Sequence, residues 1–145
     1  MAWFEDLSPC DYFGPQCAET LQAVGWLERG HAFPQGKADR RVFDRLAEFR
    51  KDPWQPVLSA GPHNCDLCSY NGEAGVSNLF IPGNGRLFVC PELIVHYMNA
   101  HQYCPPEDFC RAVLACPPMK SREYLKAVFA SGGRALMKPP EAGRF

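Results

Sequence analysis

Two pairs of side chains constrain this chain more than anything else in it. Cys65 and Cys68 form a C-x2-C pair, and His96 and His101 form an H-x4-H pair further on. Two cysteines separated by two residues wrap one metal ion from a tight turn, and two histidines complete a tetrahedron. Zinc prefers such closed sets of sulfur and nitrogen ligands. Residues 69–95 separate the pairs, more than a usual finger loop, but they hold a hairpin signal. The order is therefore knuckle, hairpin, helix, as in a zinc-finger-like or treble-clef-like unit. The candidate metal ligands are Cys65, Cys68, His96 and His101, for one structural Zn2+. One geometric demand follows. Residues five apart on an ideal helix point about 140° apart. The helix must tighten or end between His96 and His101, and Asn99 is suited to such a break.

The alternatives are local. Cys90 precedes the helix, Cys104 follows His101, and His63 lies two residues before Cys65, so any of these could replace a ligand. Cys10, Cys17, Cys110 and Cys116 lack partner spacing. Cys110 and Cys116 read as core packing, and a Cys10–Cys17 bridge is disfavoured in a reducing compartment. A thioredoxin-like redox motif would open a helix after a strand. Here Pro62 precedes the pair and a glycine-rich loop follows.

At 145 residues the chain has the length of one domain, able to bury about 68–70% of its unfolded surface. We expect one zinc-binding domain over residues 1–137 and a loose tail over 138–145. Fifteen Lys and Arg against sixteen Asp and Glu give a net charge of −1. That balance counts against nucleic acid and anionic lipid as partners. No stretch is long and apolar enough to span a membrane. The opening Met1-Ala2-Trp3-Phe4-Glu5-Asp6 lacks the basic and apolar regions of a signal peptide. The expected compartment is the cytoplasm, where clustered cysteines are metal ligands sooner than bridges.

The remaining elements follow from periodicity and punctuation. Residues 1–18 read as an irregular arm, and Leu21–Glu28 as a strand. Val42, Phe43, Leu46 and Phe49 recur at helical spacing within 38–51, and Asp52-Pro53 stops that helix. A short extended piece is expected at Val57-Leu58. Asn84-Gly85 between two apolar runs signals a hairpin. Pro91 suits the first position of a helix ending near Ala100. Pro105-Pro106 opens another helix, and Ser121 caps a last one closed by Gly132-Gly133. The fold class is α+β, with three or four helices around a small antiparallel sheet.

Two further segments admit two readings each. Trp26, His31 and Phe33 sit around Gly30 and form either a core strand ending in a positive-φ turn or an interaction loop. Arg40, Arg41, Arg45, Arg50 and Lys51 give one helix a basic side. Asp39, Asp44, Glu48 and Asp52 neutralise much of it, which favours a solvated face over a nucleic-acid stripe.

Trp26-Leu27-x2-Gly30-His31-x-Phe33-Pro34-x-Gly36, His63-x-Cys65-x2-Cys68, Ile94-x-His96-Tyr97-x3-His101, Pro105-Pro106 and Cys116-Pro117-Pro118 together resemble a family of small bacterial proteins. The resemblance covers roughly residues 1–137. It implies a cytosolic single-domain protein with a C-x-x-C and a histidine pair, and carries over no activity or catalytic residue. The reading that follows is a non-enzymatic, zinc-stabilised module whose partner is another protein. The competing readings are a zinc hydrolase or nuclease and a nucleic-acid-binding finger. For the hydrolase, the glutamate of H-E-x-x-H is absent and nothing nearby is clearly a base, Glu92 and Glu73 being weak candidates.

Overall fold

The computed structural model describes residues 2–57, 63–68 and 74–137. The element order is β1 (Leu21–Ala23), α1 (Arg40–Phe49), β2 (His63–Asn64), β3 (Ala74–Gly75), β4 (Asn78–Gly83), β5 (Arg86–Pro91), α2 (Ile94–Ala100), α3 (Glu107–Ala115) and α4 (Arg122–Ala130). Short 3-10 turns lie at Pro15–Cys17 and Gly133–Met137. The fold class is α+β, as the patterning predicts.

The hairpin organises the molecule. Asn84 and Gly85 both take positive φ, 47° and 81°, which gives the connection the twist that two antiparallel strands need. Gly83 pairs with Arg86 at the turn and Asn78 with Pro91 at the open end. Leu79, Phe80, Ile81, Leu87, Phe88, Val89 and Cys90 are all buried, so both faces of the ribbon are covered. Helices α3 and α4 pack on β4. The Phe109 ring of α3 meets Phe88 edge-on, and the Tyr124 hydroxyl of α4 donates to the Phe80 carbonyl at 2.7 Å.

The third strand, β1, joins β5 in parallel, with Leu21 opposite Leu87 and Ala23 opposite Val89. The sheet order is β1-β5-β4, so one parallel pair is added to the hairpin. The strand is shorter than the expected Leu21–Glu28. Gly25 turns the chain at φ 77°, and its N–H goes to Asp6 Oδ1 instead of a ladder. The N-terminal arm is stitched alongside, with Cys10 N–H donating to Leu21 and Ala23 N–H to Ser8.

Two helix starts follow their caps. Asp39 accepts from the Arg41 N–H to open α1, and Ser121 accepts from the Tyr124 N–H to open α4. Helix α1 buries Val42, Leu46 and Phe49 and turns its charged side outward, where Arg40 pairs with Asp44. Pro91 does not open a helix. It is the last residue of β5, and α2 begins three residues later after a turn through Glu92 and Leu93. The Glu92 N–H bonds to the Ser77 carbonyl, which keeps the chain in the hairpin ladder past Pro91. Leu58 and the tail expected over 138–145 lie outside the described residues. No helix among the described residues is long and apolar enough to cross a membrane.

Candidate metal centre

The knuckle and the end of α2 converge. One donor atom from each of Cys65, Cys68, His96 and His101 lies within 4.8 Å of the others. Cys65 Sγ is 3.4 Å from His101 Nε2, and Cys68 Sγ is 3.2 Å from both His96 Nε2 and His101 Nε2. A tetrahedron built on zinc–ligand lengths of 2.0–2.3 Å has edges of about 3.3–3.8 Å. These three sulfur–nitrogen separations are close to that size and the four donors share one 4.8 Å neighbourhood, so this Cys/His cluster could hold a metal ion.

The helix ends where the spacing demands. Helix α2 closes at Ala100, and His101 leaves it at φ −120°. The His101 and Tyr103 N–H groups both donate to the Tyr97 carbonyl, and Gln102 between them is left-handed at φ 57°. The reversal therefore sits at Gln102 and not at Asn99. It lets two imidazoles five residues apart approach to 5.2 Å between ring centres.

The knuckle is anchored from outside. Asp66 accepts from the Arg29 N–H at 2.7 Å, while Arg29 Nε donates to the Asp66 carbonyl. The Leu67 N–H points at Cys65 Sγ at 3.4 Å, a contact that favours sulfur as thiolate. Burial dominates at Cys65 and pushes its thiol pKa above the ordinary value. Burial, helped by the neighbouring His96, pushes His101 below the usual imidazole range. Both shifts favour uncharged donors in the metal-free fold.

The competing donors are elsewhere. His63 Nε2 meets the Tyr12 hydroxyl at 3.2 Å. Cys90 is fully buried in the sheet, where burial drives its thiol pKa far up. Cys104 gives its N–H to the Pro34 carbonyl, and its side chain borders Gly36. None of the three belongs to the four-donor group. Cys10 and Cys17 are buried free thiols, and burial pushes Cys10 up to about 11.

Glu92 is not at the cluster. Its Oε2 accepts from the Val76 and Ser77 N–H groups at 3.0 and 2.8 Å, and its Oε1 is 3.9 Å from Arg50 Nε. It clamps the approach to β4 and is committed to that task. Glu73 lies outside the described residues. Spacing gave no hint of Tyr97. Its ring is 6.2 Å from His96 and 6.5 Å from His101, and its buried hydroxyl has no partner among the described residues.

The loop residues divide. Trp26 is fully buried and its indole N–H donates to the Val89 carbonyl at 3.0 Å, so it is core and presents nothing to a partner. Gly30 takes the expected positive φ, 97°. His31 is exposed and stacks on Trp3 at 4.0 Å, and Phe33 is half-buried against Tyr103.

Residues 2–114 match the Domain of unknown function (DUF7919), which spans β1 to α3 and includes all four cluster residues. The chain belongs to the DUF7919 family. No curated protein and no solved structure matches it. The DUF7919 match agrees with the resemblance drawn from the motifs. It ends at Leu114, one residue before α3 closes, so α4 and the last 3-10 turn lie beyond the matched segment.

Proposed function

We propose that the cluster holds one Zn2+ ion in a structural role, and that this DUF7919 chain is a non-enzymatic, zinc-stabilised module that binds another protein in the cytoplasm. The observation that carries the metal reading is the convergence of two sulfurs and two imidazole nitrogens, all from the chain and all within 4.8 Å of one another. Two thiolates with two imidazoles suit zinc. Four protein ligands complete its shell and leave no position for substrate or a reactive water.

Two facts weigh on the role. Glu92, a base considered for a hydrolase, is held by two backbone N–H groups. The arginines of α1 are engaged: Arg40 with Asp44, Arg41 with Asp39, and Arg45 with the Cys116 carbonyl. With a net charge of −1, that favours a protein partner over nucleic acid.

The test is metal content together with coordination. Untagged protein purified without chelator should contain one zinc per chain, and cobalt substitution should give the absorption of a four-coordinate site with two thiolates. Absence of zinc would remove the metal reading. A cobalt spectrum showing a bound, exchangeable water would replace the structural role with a catalytic one.

A further inference from the structure

A second concave site lies between the N-terminal arm and the loop after Trp26. It is a cavity of about 190 Å³ whose walls include Trp3, Phe4, Phe33 and Pro34, with Glu5 and Asp6 also among its lining residues. We propose that this cavity is an aromatic cage for an alkylammonium head. On the reading that the partner is a protein, that head is the lysine side chain, methylated or not, of the partner polypeptide.

Three observations carry the proposal. The first is composition: three aromatic residues and two acidic ones line the cavity, and no basic residue does; of the two acids Glu5 is exposed, while Asp6 is engaged by Tyr103 and Gly25. Ring faces attract a cation through their quadrupole, and methylated ammonium groups are bound in such cages. The second is preorganisation, because each ring is held by another ring. Trp3 stacks on His31 with 12° between planes, Phe4 meets Trp26 edge-on at 5.4 Å, and Phe33 meets Tyr103 at 6.2 Å. Tyr103 is itself fixed by its hydroxyl, which donates to both oxygens of Asp6 at 2.9 and 2.8 Å. Rings fixed beforehand lose little side-chain entropy on binding. The third is size and exposure. The cavity is below the roughly 300–1,000 Å³ of sites for drug-sized ligands, so it fits one small head group. Trp3 is nevertheless 37% exposed, an unusual position for the ring that gives the strongest cation–π contact.

The charge around the cavity agrees. Glu28 lies 3.5 Å from His31 behind Trp3. The nearby cation Arg29 is turned away, with its Nε on the Asp66 carbonyl.

The experiment uses the full zinc-loaded chain. Tetramethylammonium chloride and its neutral isostere, 3,3-dimethyl-1-butanol, are titrated at constant ionic strength while the Trp3 indole N–H resonance is followed. Tetramethylammonium should shift that resonance saturably and bind about tenfold more tightly than the neutral isostere. Trp3→Ala and Glu5→Gln, both at exposed positions, should each weaken binding, read for Trp3→Ala on the Phe33 amide. Lys37→Ala, outside the cage, should leave it unchanged. Equal binding of the neutral isostere, or no saturable shift with tetramethylammonium, overturns the cage. A parallel titration compares lysine- and trimethyllysine-bearing peptides with their norleucine counterpart. If the free cation binds and neither lysine peptide does, the cage stands and the protein-partner reading falls.

Discussion

The hairpin layer and the knuckle are held together by different physics. In the hairpin layer, β4 and β5 bury nearly every side chain between α3, α4 and the aromatic residues Phe13 and Trp54, which meet Phe80 at 5.5 and 5.6 Å. Burial of that kind stabilises by about 25 cal/mol for each Å² of apolar surface. The knuckle has less of it: within 63–68 Cys65 alone is buried, with Leu67 and Cys68 packed against the core. Strand β2 is two residues long, Asn64 and Asp66 are exposed, and Leu67 and Cys68 are only half-buried. The Arg29–Asp66 and Tyr12–His63 contacts tie it to the rest of the fold, and the four-donor cluster joins it to the end of α2. A region with a core tolerates loss of one contact. On the proposed zinc reading, a region whose order depends on a ligand set does not.

The largest effect should come from breaking the cluster. Structural zinc sites in finger peptides contribute roughly 10–16 kcal/mol of apparent binding free energy near neutral pH. Cys68→Ser, or chelation, is expected to abolish zinc retention and lower the melting temperature sharply. Amide exchange should then accelerate over 63–68 and at the end of α2 before it does in β4 and β5. A Cys68→Ser protein that melts like the parent would erase the distinction. Acid should reproduce the effect. His101 has a depressed pKa in the fold, so the stability that comes with its neutral ring is present above about pH 6.5 and is lost as pH falls below that. Metal binding needs the same neutral ring, so zinc release and unfolding should run together in an acid titration. In the zinc-free protein the raised Cys65 pKa gives the opposite sign at alkaline pH, with stability falling as pH rises past about 8.5.

A smaller effect sharpens the comparison from the other side. Leu79→Ala removes a fully buried side chain from β4 and should cost about 2–5 kcal/mol in denaturant melts. Zinc content should stay at the parent level, because β4 holds no cluster residue. Coupled loss of zinc would show the two regions to be one cooperative unit. The smallest expected effect is outside both, at the contact of Tyr103 with the N-terminal arm. Tyr103→Phe removes both hydrogen bonds to Asp6 and leaves that carboxylate with the Gly25 N–H, at a cost of about 1–3 kcal/mol. Its zinc content should also be unchanged.

Local signals were legible where the chemistry is local. Asn84-Gly85 sets the hairpin because only such residues accept two consecutive positive φ values. Ser121 and the apolar spacing of α1 work the same way, through neighbours a few residues off. The Cys/His cluster was readable for a related reason. Thiols and imidazoles at ligand spacing have few other uses together, and the required break after His96 follows from helix geometry alone. Trp26 was not readable, because its fate depends on a carbonyl at Val89. Glu92 was not either, since two backbone N–H groups at Val76 and Ser77 claim it.

By itself, then, the sequence determined the hairpin turn, the start of α4 and which four Cys and His residues could meet, each of which depends on residue type and short spacing. Only the tertiary structure decided that β1 lies parallel to β5, that Trp26 is core while Trp3 is exposed, and that Trp3, Phe4 and Phe33 enclose one cavity. These depend on contacts between segments far apart in the chain. Residue type specifies what such a contact requires, and the packing of the whole fold specifies which partner supplies it.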